Sequence, residues 1–349
     1  MRLKFSKNII FILGVCFVFC KANAQSSLVY KEGKVVCPKE HNKHSIKVYV
    51  GNLTISGISE NQPSILGEIK GSTFTPLIPF GLGQTYTAVC GNDMTAFTIP
   101  LPDDYQMPHV IEIYPTDSVL PANLLKFYVR FNKPMATQAY KYVFLLDKAG
   151  KPIKRGVLKE IPELWNEDRT ELCVWLEPGR IKQGLGPNEK LGPVMEASNG
   201  YTISISQDLR DAEGIKMPKN FTKDFKTSER DTIRPDYNKW QVIPPKADSF
   251  QPLTINFNEV MDHGSTLSLL SIQNANGEAI PGDWQEGKTA HSVIYRPAKP
   301  WEKGRHKIVV SSRVEDRAGN NLNRLFDQNL KTKKIVTEKE NYFISFFID

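Results

Sequence analysis

Long apolar runs are almost absent from this chain. Outside residues 9–20, no stretch of its 349 residues approaches the roughly 20 apolar positions that a membrane span takes. A chain with several membrane-spanning helices is therefore excluded. Cysteine is scarce too: there are five, and Cys16 and Cys20 fall inside that single run, so the chain is not a disulfide-dense scaffold. Helical periodicity is missing, which argues against bundles and coiled coils. Neither G-x-S-x-G nor H-E-x-x-H occurs, and these are the usual marks of serine hydrolases and zinc proteases. A one-sided charge is missing as well. The formal charge is +7, but Lys and Arg are interleaved with Asp and Glu, with no basic stripe for nucleic acid.

What is present begins with the amino terminus. Arg2, Lys4 and Lys7 precede the apolar run Ile9–Cys20, and Ala22-Asn23-Ala24 supplies small residues before Gln25. That order predicts a cleavable signal peptide over 1–24 and an exported protein with no membrane span after cleavage. Four of the positive charges leave with it, so the remainder carries +3. Cys37, Cys90 and Cys173 remain. Cys37 and Cys90 flank the first module and are expected to form a disulfide. Cys173, inside the apolar strand Leu172–Leu176, is expected to be a buried thiol.

Short runs of alternating or β-branched residues follow one another along the chain, such as Ser45–Val50, Leu125–Phe131, Tyr201–Ile205 and His306–Val310. Gly and Pro, 23 of each, punctuate them. This predicts an all-β fold of tandem immunoglobulin-like β-sandwiches. The chain also repeats itself. Phe127-Tyr-Val-Arg-Phe131-Asn-Lys-Pro-Met135 aligns with Leu253-Thr-Ile-Asn-Phe257-Asn-Glu-Val-Met261. Leu209-Arg-Asp211-Ala-Glu-Gly214 aligns with Val314-Glu-Asp316-Arg-Ala-Gly319. Phe74-x-Pro76-x-x-Pro79-x-x-x-Gly83 has the spacing of Tyr295-x-Pro297-x-x-Pro300-x-x-x-Gly304. Three modules are expected, over 25–104, 105–228 and 229–349.

Val129-Arg-Phe-Asn-Lys-Pro-Met135 and Val314-Glu-Asp-Arg-Ala-Gly-Asn-Asn-Leu322 resemble the bacterial Ig-like domain of the SbsA (S-layer) type. The likeness covers about 108–326. Leu176–Gly184 and Pro244–Phe257 resemble segments of multi-module secreted proteins. The resemblance implies export and a spacer, adhesion or surface-layer role, without a reaction.

Candidate sites are few. Residues 179–198 form a Gly-rich insertion whose Arg180 and Lys182 suit an anionic ligand. Trp165, beside Asn166-Glu167-Asp168, is the aromatic most expected to be exposed for sugar stacking. Asp316, Asn320 and Asn321 could offer oxygens to calcium, but they fall short of the roughly six it takes, and a self-bonded Asx turn is the better explanation. Cys37, His41 and His44 make an incomplete zinc set. The expectation is a non-enzymatic exported structural or adhesion protein of the cell envelope. It has no cofactor and no metal, and its partner is an envelope protein or a glycan. The alternatives are a carbohydrate-binding protein using exposed aromatics, or an enzyme with a site between modules.

Overall fold

The structure, a computed structural model, describes residues 28–37, 46–59, 61–159, 161–327 and 338–349. The segment read as a signal peptide, together with His41 and His44, lies outside the described residues. The chain divides into two compact units, Met1–Leu101 and Pro102–Asp349. The architecture is all-β, built of immunoglobulin-like sandwiches. No helix among the described residues is long and apolar enough to cross a membrane.

The first unit contains β1 (Val29–Lys31), β2 (Lys34–Val36), β3 (Ile46–Val50), β4 (Gly67–Lys70), β5 (Thr73–Pro76), β6 (Thr85–Cys90) and β7 (Asp93–Thr98). They form sheets β1-β2-β5-β4 and β3-β6-β7. Inward residues Val35, Val48, Phe74 and Ala88 close the core between them. Cys37 and Cys90 are disulfide-bonded and tie one sheet to the other.

The second unit holds two cores. The first lies between sheets of β8 (Val110–Tyr114), β9 (Val119–Pro121), β10 (Lys126–Phe131), β11 (Val143–Asp147), β12 (Leu164–Trp165), β13 (Glu171–Trp175), β14 (Gly200–Ile205) and β15 (Phe221–Ser228). The sheet orders are β12-β13-β10-β8 and β11-β14-β15-β9. The second core lies between sheets of β16 (Gln241–Ile243), β17 (Leu253–Asn256), β18 (Leu270–Gln273), β19 (Gly282–Glu286), β20 (Ser292–Pro297), β21 (Gly304–Ser311) and β22 (Asn341–Ile348), ordered β16-β17-β20-β19 and β18-β21-β22. Alternation places Phe127, Val129 and Phe131 inward on β10, and Ile308 and Val310 inward on β21. Each such side chain, fully buried, contributes roughly 1.5–3 kcal/mol.

The repeats are ladder partners. Met135 bridges Asp211, and Met261 bridges Asp316. The Oδ1 of Asp211 accepts from the N–H groups of Glu213 and Ile215, and that of Asp316 accepts from Ala318 and Asn320. These are Asx turns, closed by Gly214 at φ 89 and Gly319 at φ 79. The Pro-Gly hairpin recurs with a partner that the sequence spacing hides. Gly67 faces Pro76 and Gly282 faces Pro297 across their ladders. The preceding aromatic ring, Phe74 or Tyr295, lies over the glycine; a Cβ on Gly282 would sit 2.8 Å from Tyr295 Cζ. The ring replaces the missing side chain on the sheet.

The insertion at 179–198 is not a plain loop. Pro178–Ile181 (α1) and Gly186–Leu191 (α2) are short helices. The first starts on Pro178 and the second has Pro187 as its second residue; a proline's missing N–H costs nothing in a first turn, and Glu177 caps the first.

Candidate functional site: the seam between the second and third sandwiches

The outward residues of β10 are Lys126, Tyr128 and Arg130. Alternation on a strand assigns such polar residues to solvent, yet here they face the third sandwich. Their cross-strand neighbours Tyr114, Glu171 and Cys173 extend the same face. The opposing surface is the helix α3 (His263–Ser268), with Glu286 of β19 and Glu315.

Asp262 caps α3 by accepting from the Ser265 N–H at 2.9 Å. It also accepts from the Tyr128 hydroxyl at 2.9 Å. Lys126 Nζ lies 2.6 Å from Glu315 and 3.5 Å from Asp262, with only 9% of its side chain exposed. Burial pulls the Lys126 ammonium toward neutrality, but Asp262 and Glu315 outweigh it and hold the pKa above the usual lysine value. At the other end burial prevails, and the Glu315 carboxyl is shifted up despite Lys126. Gly264 permits this approach, since a Cβ there would lie 2.6 Å from the Tyr128 ring. The Leu125 N–H donates to the Arg317 carbonyl at 2.9 Å, so main chain also crosses the seam.

Beside this pair of carboxylates sits a second cluster. The Arg130 guanidinium joins Glu171 at 2.9 Å and Glu286 at 2.5 Å. His263 stacks on Tyr114 with centroids 4.1 Å apart, and Arg130 covers the same tyrosine at 4.8 Å. His263 Nε2 lies 3.3 Å from Glu171 and Nδ1 lies 3.7 Å from Glu286. Burial raises the Glu171 carboxyl, but His263 and Arg130 reverse this and hold it below the ordinary glutamate range. The cluster borders a cavity of ≈ 290 Å³ lined also by Lys288, Arg317 and the apolar Phe257 and Met261. A histidine beside a carboxylate is what acid–base chemistry requires. Here, however, each ring nitrogen faces a carboxylate, and the acids are themselves engaged by Arg130.

Gly282-Asp-Trp-Gln-Glu-Gly287-Lys288-Thr289 also borders the cavity and has the spacing of a phosphate-cradling loop. That motif needs a loop leading into a helix. Here its first five residues are β19, and the hairpin returns in β20. The run is a strand and turn of the sandwich.

Of the residues selected from sequence, Arg180, Lys182 and Trp165 lie apart from this seam cluster, and Cys173 lies on its face beside Tyr128. Arg180 is buried, and its five N–H groups point at the carbonyls of Lys154, Arg155, Leu191, Gly192 and Pro193. It anchors the insertion and has no donor left for an anion. Lys182 sits 4.4 Å from the Phe326 ring, and the Gln183 N–H donates to Asp327. The insertion thus leans on the third sandwich. Trp165 is half-buried against Phe131 and donates from Nε1 to Glu163, leaving one edge on a shallow concavity with Thr137, Gln138 and Lys141. Cys173 is a free thiol that burial pushes up to about 12, which leaves it unreactive at neutral pH.

Among the described residues, one group of three or more side chains could hold a metal: Asp231, Glu259 and Asp316, whose oxygens lie within 4.8 Å of one another. Asn320 and Asn321, read as calcium ligands beside Asp316, are spent on other bonds. Asn320 donates to Asp316 and to backbone carbonyls, and Asn321 accepts from Asn323 and Arg324. Three oxygens fall short of the six or more that calcium takes. The sister repeat shows what differs. Where the third sandwich has Glu259, the second has Lys133, whose Nζ lies 3.1 Å from Asp211. Burial would raise the Asp211 carboxyl, but bonds from Tyr105, the Ile215 N–H and Lys133 bring it below the ordinary range. In Asp316 burial and the neighbouring Asp231 outweigh the bonds from the Asn320 side chain and from the Asn320 and Ala318 N–H groups, no cation helps them, and the pKa rises to about 8.

The pH consequence is definite. An unfolded aspartate titrates near 3.9, so the folded state retains a proton that the unfolded state has lost. This contribution is complete below about pH 4 and is lost as the pH rises through about 8. Asp316→Asn is expected to flatten the fall in stability between those limits, by on the order of a few kcal/mol. Urea denaturation of parent and variant at pH 5 and 8 checks this, and parallel slopes would refute it.

No protein-family model and no curated protein matches the chain. Among solved structures it is similar to the S-layer protein SbsC, at 13% identity over 59% of this chain and 24% of that one, with a TM-score of 0.26. It is likewise similar to the FN1–FN3 domains of chicken CNTN1, at 13% identity over 92% and 98% of the two chains, with a TM-score of 0.23. A third similarity is to SGBP-B of a Bacteroides ovatus mixed-linkage glucan utilization locus, in complex with a heptasaccharide, at 10% identity over 77% and 54%, with a TM-score of 0.17. The chain thus spans about a quarter of SbsC, and likenesses this loose carry no argument about role.

Proposed function

We propose that the protein is an exported, non-enzymatic structural or adhesion element of the cell envelope. In this reading the second and third sandwiches act as one stiff element. What supports it is the way the charged groups at the seam are used: Lys126 with Asp262 and Glu315, and Arg130 with Glu286, pair across the junction, while Glu171 holds Arg130 from within the second sandwich. A junction held by paired charges and by a main-chain bond resists hinging, and its acids and bases are engaged in structure. A glycan-binding role would rest on the exposed edge of Trp165 and is the second reading.

The test has two parts. Cell fractionation with intact-mass measurement should place the protein outside the cytoplasm, beginning at Gln25. Nitrogen-15 relaxation should give one correlation time for residues 108–228 and 236–327. A cytoplasmic full-length species would defeat the export reading. Separate tumbling of the two sandwiches would defeat the structural one.

A further inference from the structure

We propose that β22 is a self-association edge, pairing antiparallel with β22 of a second copy about a two-fold axis at Ser345. In its sheet β22 stands last in the order β18-β21-β22, and among the described residues no strand pairs with its other side. Exposed edges are normally protected by charges, proline or bulges. Over all eight residues Asn341–Ile348 there is no charged residue, no proline and no glycine. Instead the outward face carries Phe343 and Phe347, 56% and 52% exposed, on either side of Ser345.

The choice of a second copy follows from the order of that face. Directly opposed residues of an antiparallel pair point to the same side of the sheet. The outward row Phe343-x-Ser345-x-Phe347 reads identically in both directions, so it is its own complement under a two-fold. With Ser345 opposite Ser345 of the second copy, each Phe343 meets Phe347 of the other. The inward Ile344 meets Phe346, and Tyr342 meets Ile348. Aromatic residues opposite one another are favourable cross-strand pairs, and the small serine leaves room at the axis. A slip of one residue would set outward side chains against inward ones. A slip of two would pair each phenylalanine with serine or with a strand end. The cations of the same face, Arg305 and Lys307, lie one strand back on β21. Across the dimer their strands are three spacings apart, about 14 Å, and the Lys307 ammonium is taken up on the face of Phe343, 5.3 Å from the ring centroid.

Sedimentation equilibrium of the full chain from about 1 to 100 µM is expected to show a reversible dimer, since that range brackets micromolar affinity. Ser345→Lys sets two like charges opposite each other at the axis and should raise the dissociation constant at least about tenfold. The residue is exposed, so the thermal transition of the monomer should not move. Ser345→Cys should give a disulfide-linked dimer under mild oxidation beyond the parent background. Ser271→Cys, on the outward face of β18 at the far edge of the sheet, should not. A parent chain monomeric throughout that range would overturn the proposal. So would a Ser345→Lys variant that dimerises as the parent does, or equal cross-linking at 271 and 345. None of these outcomes bears on the seam, so failure here leaves the structural reading intact.

Discussion

Replacing Lys126 with methionine is expected to lower the unfolding free energy of residues 102–349 by about 3–5 kcal/mol, because it strands buried acid without a counter-charge. For a unit of this size that amounts to a fall in melting temperature of roughly 10 °C. The hydrocarbon stem is retained in this variant, so lost packing contributes little. What is lost is the partner of Glu315 at 2.6 Å and of Asp262 at 3.5 Å. Two further measurements separate charge from volume. Adding Glu315→Gln to the variant should recover part of the loss. Lowering the pH from 7 to 5 should stabilise the single variant relative to the parent. Burial already shifts the Glu315 carboxyl up, and without Lys126 it shifts further, so the folded state takes up a proton more readily. A single variant melting within about 2 °C of the parent, equivalent to under 1 kcal/mol, would show that the ion pair is immaterial.

Reduction of the Cys37–Cys90 bond should have the next largest effect, confined to the first unit. The bond closes a loop with a sequence separation of 53, worth about 4 kcal/mol of chain entropy. The unit has a small core, and domains of this size have little stability in reserve. A reducing agent should therefore unfold the first unit near room temperature while the transition of Pro102–Asp349 stays in place. Calorimetry with and without reductant would resolve the two. An unmoved lower transition would show that apolar burial alone holds the first unit.

Much of the fold was legible because it is written in local patterns. The Phe-x-Pro and Tyr-x-Pro hairpins and the Asp-x-x-Gly turns are each confined to a few residues, and their chemistry needs no distant partner. That Met135 pairs with Asp211, and Met261 with Asp316, was not legible, because many residues separate each pair and register is set by the closed sheet. Gly67 and Gly282 escaped for a different reason. They oppose Pro76 and Pro297, but they precede them by hairpins of unequal length, so no fixed spacing survives. The seam was hidden most thoroughly. Lys126, Tyr128 and Arg130 alternate with Phe127, Val129 and Phe131 as the solvent face of any half-buried strand would. Only a neighbouring sandwich makes that face an interior one. Conversely Arg180, read as a free cation, has its donors consumed by carbonyls that are distant in sequence.

The repeat boundary near residue 228 marks where copies of a motif meet, and it is a poor place to cut. Excising residues 105–228 would bare Tyr128, Trp175, Cys173 and the Lys126 ammonium together, a greasy surface studded with a charge that has lost its acids. The smallest autonomous fragment is then the pair of sandwiches, although the repeats advertise two separable halves.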